Sequence, residues 1–386
     1  MKLYYWSPFF SNIATEKAVI NSIESINKYS NNKISACLLE IIGEWKNQKE
    51  NINQKKIKIK KLSNFNLIDF LPKFGFLNSR ISYFVIFLFS IFKLHRLLKS
   101  DKPDFLIIHL MTFIPLILLS IFKYDTKFIL RISGFPKLNF LRSFFWKIVG
   151  KKIFLITTPT KSTLKLLIDS NIFDSAKVKY LPDPILNIKE IQKKKKENNF
   201  IEKEISSKNT LISIGRLTKQ KNFRFLIKVF SEINILYPNL NLCIIGDGED
   251  KQKLIGDIKK YKLQNKVFLL GYKVNIYDYL KNSHILILPS LWEDPGFVLI
   301  EAGYMNKTIL SSDCPNSPRE LLENGKNGFI FKSNNSESFL KTFKYLYDSD
   351  KKSLLSKKIS YKKRLKEFTL FNHYKILSKL IKNYEN

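Results

Sequence analysis

A chain of 386 residues, 45% of them hydrophobic, has room for two domains with separate cores and is too apolar to be a disordered tail. Its formal charge of +33 divides evenly, +17 over Met1–Glu190 and +16 over the remainder. That spread argues against one dedicated basic face, yet it leaves a field that attracts nucleotides, anionic lipid and nucleic acid alike. Cys37, Cys243 and Cys314 lie far apart, which excludes a disulfide framework or a cysteine metal cluster and points to a reducing compartment. The run Met1-Lys2-Leu3-Tyr4-Tyr5-Trp6 turns polar within a few residues, without the layout of a signal peptide.

Short apolar runs then alternate with helical patterns. Strands are expected at Leu3–Trp6, Ile34–Leu39, Ile57–Leu62, Phe105–Leu110, Lys127–Ile132, Ile153–Ile156 and Val178–Leu181. Helices are expected at Ala14–Tyr29, Ser79–Lys99, Pro115–Tyr124, Phe140–Val149 and Thr160–Asp169. The apolar run Phe105–Phe122 contains His109, Thr112, Pro115 and Ser120, and reads as strand, loop and helix rather than a membrane span. Ile81–Phe92 is too short to cross a bilayer and is read as a buried helix or one lying on a membrane surface.

Pro182-Asp183-Pro184 marks an exit, and residues 187–208, with four consecutive lysines from Lys193, read as a basic solvated linker. A second alternating set starts at Leu211 and continues through a helix at Phe223–Leu236 and a strand at Asn241–Ile245. Beyond these come a helix at Asp250–Tyr261, strands at Val267–Leu270 and His284–Leu288, and a helix at Phe297–Tyr304. A strand at Thr308–Ser311 and a helix from Pro318 follow, and beyond Phe331 the chain reads as helical and basic. The order predicts two doubly wound parallel sheets of the α/β class: residues 1–186, a linker over 187–208, and residues 209–370. A last helix, 371–386, returns to the first domain, and a cleft between the domains suits a two-substrate reaction.

Pro289-Ser-Leu-Trp-Glu-Asp-Pro-Gly-Phe-Val-Leu-Ile-Glu301 is the stretch with most chemistry. Pro289 stops a buried strand, and Pro295-Gly296 open a helix. Glu293 lies in the loop and Glu301 about a turn inside the helix, so both acids reach the carboxyl end of the sheet, where open α/β sheets bind ligands. The first amides of that helix, at Phe297 and Val298, suit a phosphate. Acids for sugar hydroxyls beside amides for phosphate describe a nucleotide-sugar site. Gly215-Arg216-Leu217 and Lys221 add two cations at another strand end, where Arg binds phosphate oxygens bidentately and Lys adds a point charge. Gly246-Asp247-Gly248 and Leu270-Gly271-Tyr272 follow two further strands; the first lacks the third glycine of a dinucleotide fingerprint.

In this order, with Leu288-Pro289-Ser290 and Asn324-Gly325-Lys326-Asn327-Gly328, these blocks resemble glycosyltransferase family 4, retaining enzymes of the GT-B fold. Within the family the chain resembles bacterial transferases that build lipopolysaccharide, capsule and related surface glycans. The resemblance implies that Arg216 and Lys221 hold the donor diphosphate, Glu293 the transferred sugar, Glu301 the ribose and Tyr272 the base. Gly215, Gly246, Gly248 and the Gly296–Val298 backbone complete the donor site. It implies no metal and no cofactor, a glycan or lipid-linked acceptor, and a cytoplasmic enzyme in peripheral contact with the anionic inner face of the membrane. Acceptor-side positions are His109, Ser133 (where the family often has histidine) and Asn12, in a turn usually rich in glycine. The pair Asp348-Ser349-Asp350 sits between basic helices and is read as a turn. Two other readings stay open: a nicotinamide-dependent oxidoreductase on a Rossmann fold, and a basic nucleic-acid-binding protein.

Overall fold

The computed structural model of the protein describes residues 1–10, 15–71, 76–197 and 209–382, with the side chains of all of these except 76–79. Two compact units emerge: Met1–Ile185 together with the C-terminal helix, and Leu186–Thr369.

In the first unit seven parallel strands are interleaved with helices. They are β1 (Lys2–Trp6), β2 (Ser35–Glu40), β3 (Lys58–Lys61), β4 (Phe105–Ile108), β5 (Lys127–Arg131), β6 (Leu155–Thr158) and β7 (Val178–Tyr180). The sheet order β3-β2-β1-β4-β5-β6-β7 reverses direction between β1 and β4, the place where such sheets take ligands. The helices are α1 (Thr15–Tyr29), α2 (Lys49–Gln54), α3 (Phe76–Ser100), α4 (Phe113–Ile121), α5 (Phe140–Gly150) and α6 (Lys161–Asp169). Side chains alternate along each strand and so divide the core in two. Tyr4, Trp6, Leu106 and Ile108 face α3, α4 and α5, whereas Leu3, Tyr5, Phe105 and Ile107 face α1.

The second unit opens with α7 (Ile188–Lys194) inside the stretch read as linker. Asn187 caps it, and Ile191 is buried, while the lysines stay on its wet side. The rest of that stretch, 198–208, lies outside the described residues. Six parallel strands follow: β8 (Thr210–Ile214), β9 (Asn241–Ile245), β10 (Val267–Leu269), β11 (Ile285–Leu288), β12 (Thr308–Ser312) and β13 (Phe329–Phe331). Their order, β10-β9-β8-β11-β12-β13, switches between β8 and β11. Between them run α8 (Phe223–Leu236), α9 (Lys251–Lys260), α10 (Tyr277–Lys281), α11 (Phe297–Tyr304) and α12 (Ser317–Leu321); α13 (Ser336–Tyr347) and α14 (Lys351–Arg364) follow β13. Asp350 N-caps α14 by accepting from the Ser353 amide at 2.8 Å, so the Asp-Ser-Asp sequence is a helix junction.

Two expectations shift. The strand placed at Ile153–Ile156 runs from Leu155 to Thr158 instead, because Ile153 is still bonded to the end of α5 through the Val149 carbonyl at 3.2 Å. Buried Thr157 and Thr158 then extend the pairing with β7. The helix expected to run from Pro115 to Tyr124 starts at Phe113 and stops at Ile121.

The final helix, α15 (Leu370–Lys382), packs on α1, with Leu377 and Ile381 in the first unit's core. Its His373 is fully enclosed. Nδ1 lies 2.8 Å from the Pro182 carbonyl, which can only accept, so Nδ1 carries the proton and Nε2 accepts from Ser22 Oγ at 2.8 Å. Ser22 Oγ in turn accepts from the Tyr5 hydroxyl at 2.8 Å. Burial first, then the Pro182 bond acting against it and the Arg131 charge acting with it, bring the His373 pKa down to about 3. The unfolded chain takes this proton near pH 6.5, so the neutral ring's contribution to stability is complete above that pH and fades below it. We expect about 2 kcal/mol to be lost between pH 6.5 and 5 on this account. His373→Gln should flatten the decline in chemical-denaturation free energy over that range; an unchanged slope would mean the ring titrates normally.

Candidate functional site

In the second unit the loops after β8 and β11 flank the switch point, and they are tied together. Lys221, closing the loop after β8, forms an ion pair with Glu293 of the loop after β11. Glu293 is buried, and its Oε1 also accepts from Ser290 Oγ at 2.6 Å. Both donors go to Oε1, and Oε2 takes neither.

Room for this pair comes from Gly215, where a Cβ would sit 2.8 Å from Lys221 Cε and 3.0 Å from Cδ. The lysine stem therefore lies directly over the glycine. Gly246 serves the same loop from the other side, since a Cβ there would lie 1.9 Å from the Gly215 carbonyl oxygen. Gly248 likewise lets Leu217 approach, with a Cβ position 2.5 Å from its carbonyl oxygen. These two glycines bring backbone against backbone, so their direct task is loop packing.

The loop after β11 is held along its length. Ser312 Oγ donates to the Ser290 carbonyl at 2.6 Å, Gln220 Nε2 to the Trp292 carbonyl at 2.9 Å, and Ser317 Oγ to the Pro295 carbonyl. Gly296 precedes α11 with φ 71° and ψ 60°, a left-handed conformation that glycine adopts without strain. Phe297 and Val298 then form the first turn, and their amides are among those an α-helix leaves free of internal partners. Glu301 is buried on α11 and accepts from the Tyr277 hydroxyl of α10 at 3.1 Å. Cys314 lies nearby, and burial pushes its thiol up to about 12, which disfavours the thiolate.

The structure thus brings Lys221 and Glu293 into contact and fixes Glu301 by a separate bond. Arg216 stays exposed on the loop after β8, and Tyr272 is exposed after β10. Tyr277 and Ser290 escaped the sequence reading. Ser290 stood within a recognised block without a role, and Tyr277 lay on a short helix with no motif around it.

In the first unit, three adjacent strands end in unpaired polar groups. Ser7 follows β1, His109 follows β4, and Ser133 lies two residues beyond β5; Ser7 Oγ, His109 Nδ1 and Ser133 Oγ are buried atoms without a described partner. Such atoms are costly unless something satisfies them. His109 stacks on Tyr5 with ring centroids 5.9 Å apart. Burial first, and then the Arg131 charge, hold it well below the usual histidine range, hence neutral. Asn12 lies outside the described residues.

Two doubly wound parallel sheets in series define a GT-B architecture, and the second carries an acid–lysine pair at its switch point. Residues 194–365 match the family model described as glycosyl transferases group 1. An uncharacterized glycosyltransferase of Methanocaldococcus jannaschii is 37% identical over 250 residues, covering 60% of this chain and 61% of that one. The N-acetylgalactosamine-N,N'-diacetylbacillosaminyl-diphospho-undecaprenol 4-alpha-N-acetylgalactosaminyltransferase of Campylobacter jejuni is 26% identical over 238 residues, 60% of this chain and 63% of that one. The chain therefore aligns with less than two thirds of the length of these two relatives. The crystal structure of Anabaena HepE in complex with UDP and glucose shares the fold, with a TM-score of 0.73 over 99% of both chains at 14% identity. The family model and both relatives point to one class of enzyme, the glycosyltransferases, and the HepE structure shares the fold.

Proposed function

We propose that this chain is a retaining glycosyltransferase of family 4. It would move a hexose or N-acetylhexosamine from a nucleotide diphosphate sugar, best a UDP-sugar, to a glycan or lipid-linked glycan acceptor in surface polysaccharide synthesis. The observation that carries the reading is the ion pair of partly buried Lys221 with buried Glu293, beside the opening of α11. A cation already placed against a carboxylate that binds sugar hydroxyls can share its charge with a departing diphosphate, as preorganised electrostatic stabilisation requires. Arg216, exposed and without an ion-pair partner among the described residues, is the second cation free to close on the phosphates. Glu301 would take the ribose hydroxyls and Tyr272 the base.

In a retaining transfer of this kind, the acceptor hydroxyl attacks the anomeric carbon on the face the diphosphate leaves. The departing phosphate oxygen takes the proton, so no protein nucleophile is needed. Ser7, His109 and Ser133 offer unpaired groups for the acceptor side, with His109 neutral and able to donate or accept. UDP in the HepE crystal and the diphospho-undecaprenol in the Campylobacter enzyme's name support the donor and acceptor classes. A lipid-linked acceptor would be met at the cytoplasmic face of the membrane. The positive charge of arginine, lysine and helix terminus would replace a metal ion, so activity should survive chelation.

The test is a thermal-shift comparison across UDP-, GDP- and ADP-sugars. At a hundred times its Kd the true donor adds about 2.7 kcal/mol to the folded state. A UDP-sugar should raise the midpoint most; if none of the three raises it, the reading fails.

A further inference from the structure

The helices α3, α4 and α5 cover one face of the first sheet, and their outward sides are unusually apolar. On α3 the exposed residues Phe84, Leu88 and Phe92 recur every fourth position, and Ile81 and Tyr83 extend the row. On α4 Phe113 and Ile121 stand two helical turns apart. On α5 Phe140, Phe144 and Ile148 repeat the same spacing, with Leu141 beside them. Residues four apart share a helix face, so each helix presents one stripe outward. The inward positions, Ile86 and Leu94 of α3, Leu116 and Leu118 of α4, and Val149 of α5, are buried in the core.

The stripes are neighbours. α4 packs against both α3 and α5. Phe113 contacts Phe145 of α5 with ring centroids 5.5 Å apart, and Phe122, just past α4, lies 4.3 Å from the ring of His95 on α3. Exposure is high where a core would hide it: Phe92 is 79% and Phe140 82% exposed. Among the described residues, no helix of the second unit carries more than two exposed large apolar residues, against five on α3 and four on α5. Apolar patches of this kind mark docking surfaces.

Charge selects the occupant. The three helices contain Arg80, Lys93, Arg96, Lys99, Arg142 and Lys147 and not one Asp or Glu. Phenylalanine stripes interleaved with cations suit the boundary between acyl chains and anionic headgroups. Among the described residues, Arg80–Ser100 is the one helical stretch long and apolar enough to cross a bilayer. Its Ile86, Leu94 and Leu98, however, are bedded in the sheet's core, and the stripe continues onto two further helices. That geometry is one of lying in the interface plane.

We propose that the α3–α4–α5 face docks the protein on a bilayer rich in anionic lipid, inserting Phe84, Phe92 and Phe144 while Arg96 and Lys147 meet headgroups. This stands apart from the donor chemistry, and its test contains no nucleotide-sugar. Full-length protein is floated with phosphatidylcholine vesicles, with and without phosphatidylglycerol. The wild type should float with the anionic vesicles and much less with the neutral ones. Phe84→Ser/Phe92→Ser/Phe144→Ser should lower partitioning on the order of 100-fold, from lost apolar insertion, with an unchanged melting midpoint. Arg96→Gln/Lys147→Gln should lower it about 10-fold on anionic vesicles only. Three outcomes overturn the proposal: a wild type that floats with neither vesicle, a triple variant that floats as well as the wild type, or a wild-type dimer by light scattering that the triple variant dissociates while neither floats. The last would make this face a contact between two copies of the chain.

Discussion

Replacing Lys221 with alanine should lower kcat for glycosyl transfer by about 10²-fold or more, the cost of losing one preorganised charge-stabilising donor. The lysine is only partly buried and its partner Glu293 almost wholly so, so the variant also leaves a carboxylate with Ser290 Oγ as its remaining described donor. Glu293→Gln should impair turnover too, because the amide keeps the shape but no longer attracts the cation. Since the two side chains share one bond, the double variant should lose less than the product of the single losses. Gly215→Ala supplies a test that leaves both charges in place. Its methyl would occupy the path of the Lys221 stem, and a flexible lysine can swing aside, so the unit should stay folded while the pair breaks. Steady-state rates with the donor found by thermal shift decide the matter. Near-normal turnover in Lys221→Ala would take this pair out of the mechanism.

That Glu293 and Lys221 lie in loops at strand ends could be read from sequence, because each follows strong local signals: an apolar strand, a helix breaker, then a polar stretch. That they touch could not be read, since 72 positions separate them and only the parallel placement of β8 beside β11 joins their loops. Gly246 shows the same limit. Its position after β9 suggested a ligand nearby, yet its immediate neighbour is the Gly215 carbonyl, a tertiary contact with no local trace. Helix α7 was hidden by its lysines, because one buried isoleucine on a single turn of contact leaves no amphipathic pattern to count. Strand β13, three residues at a sheet edge, is too short for periodicity to register. The length of α3 was visible, but not the outward side of its apolar residues, since a helix apolar nearly all round does not say which face meets the core.

The Pro182-Asp183-Pro184 exit carries the second large effect, and it too lies beyond local reading. Asp183 turns inward to form an ion pair with Arg131 at the end of β5, both side chains almost completely buried. Arg131 also donates to the Leu181 carbonyl at 2.6 Å, and Asn21 Nδ2 donates to the Pro184 carbonyl at 2.7 Å, so the exit is stitched to β5 and α1. Burial works to raise the Asp183 carboxyl pKa and the guanidinium works to lower it. With the guanidinium in contact and always charged, the acid serves as its counterion, and removing the acid strands a buried cation. Asp183→Ala should therefore cost about 3–5 kcal/mol in urea unfolding of the full chain, whereas Arg131→Met/Asp183→Leu, which removes both charges and keeps the volume filled, should recover most of that loss. Arg131 is also one of the charges keeping His109 and His373 neutral, so the double variant should raise the apparent pKa of both rings in an NMR titration. A loss below about 1 kcal/mol for Asp183→Ala would mean that water reaches Arg131.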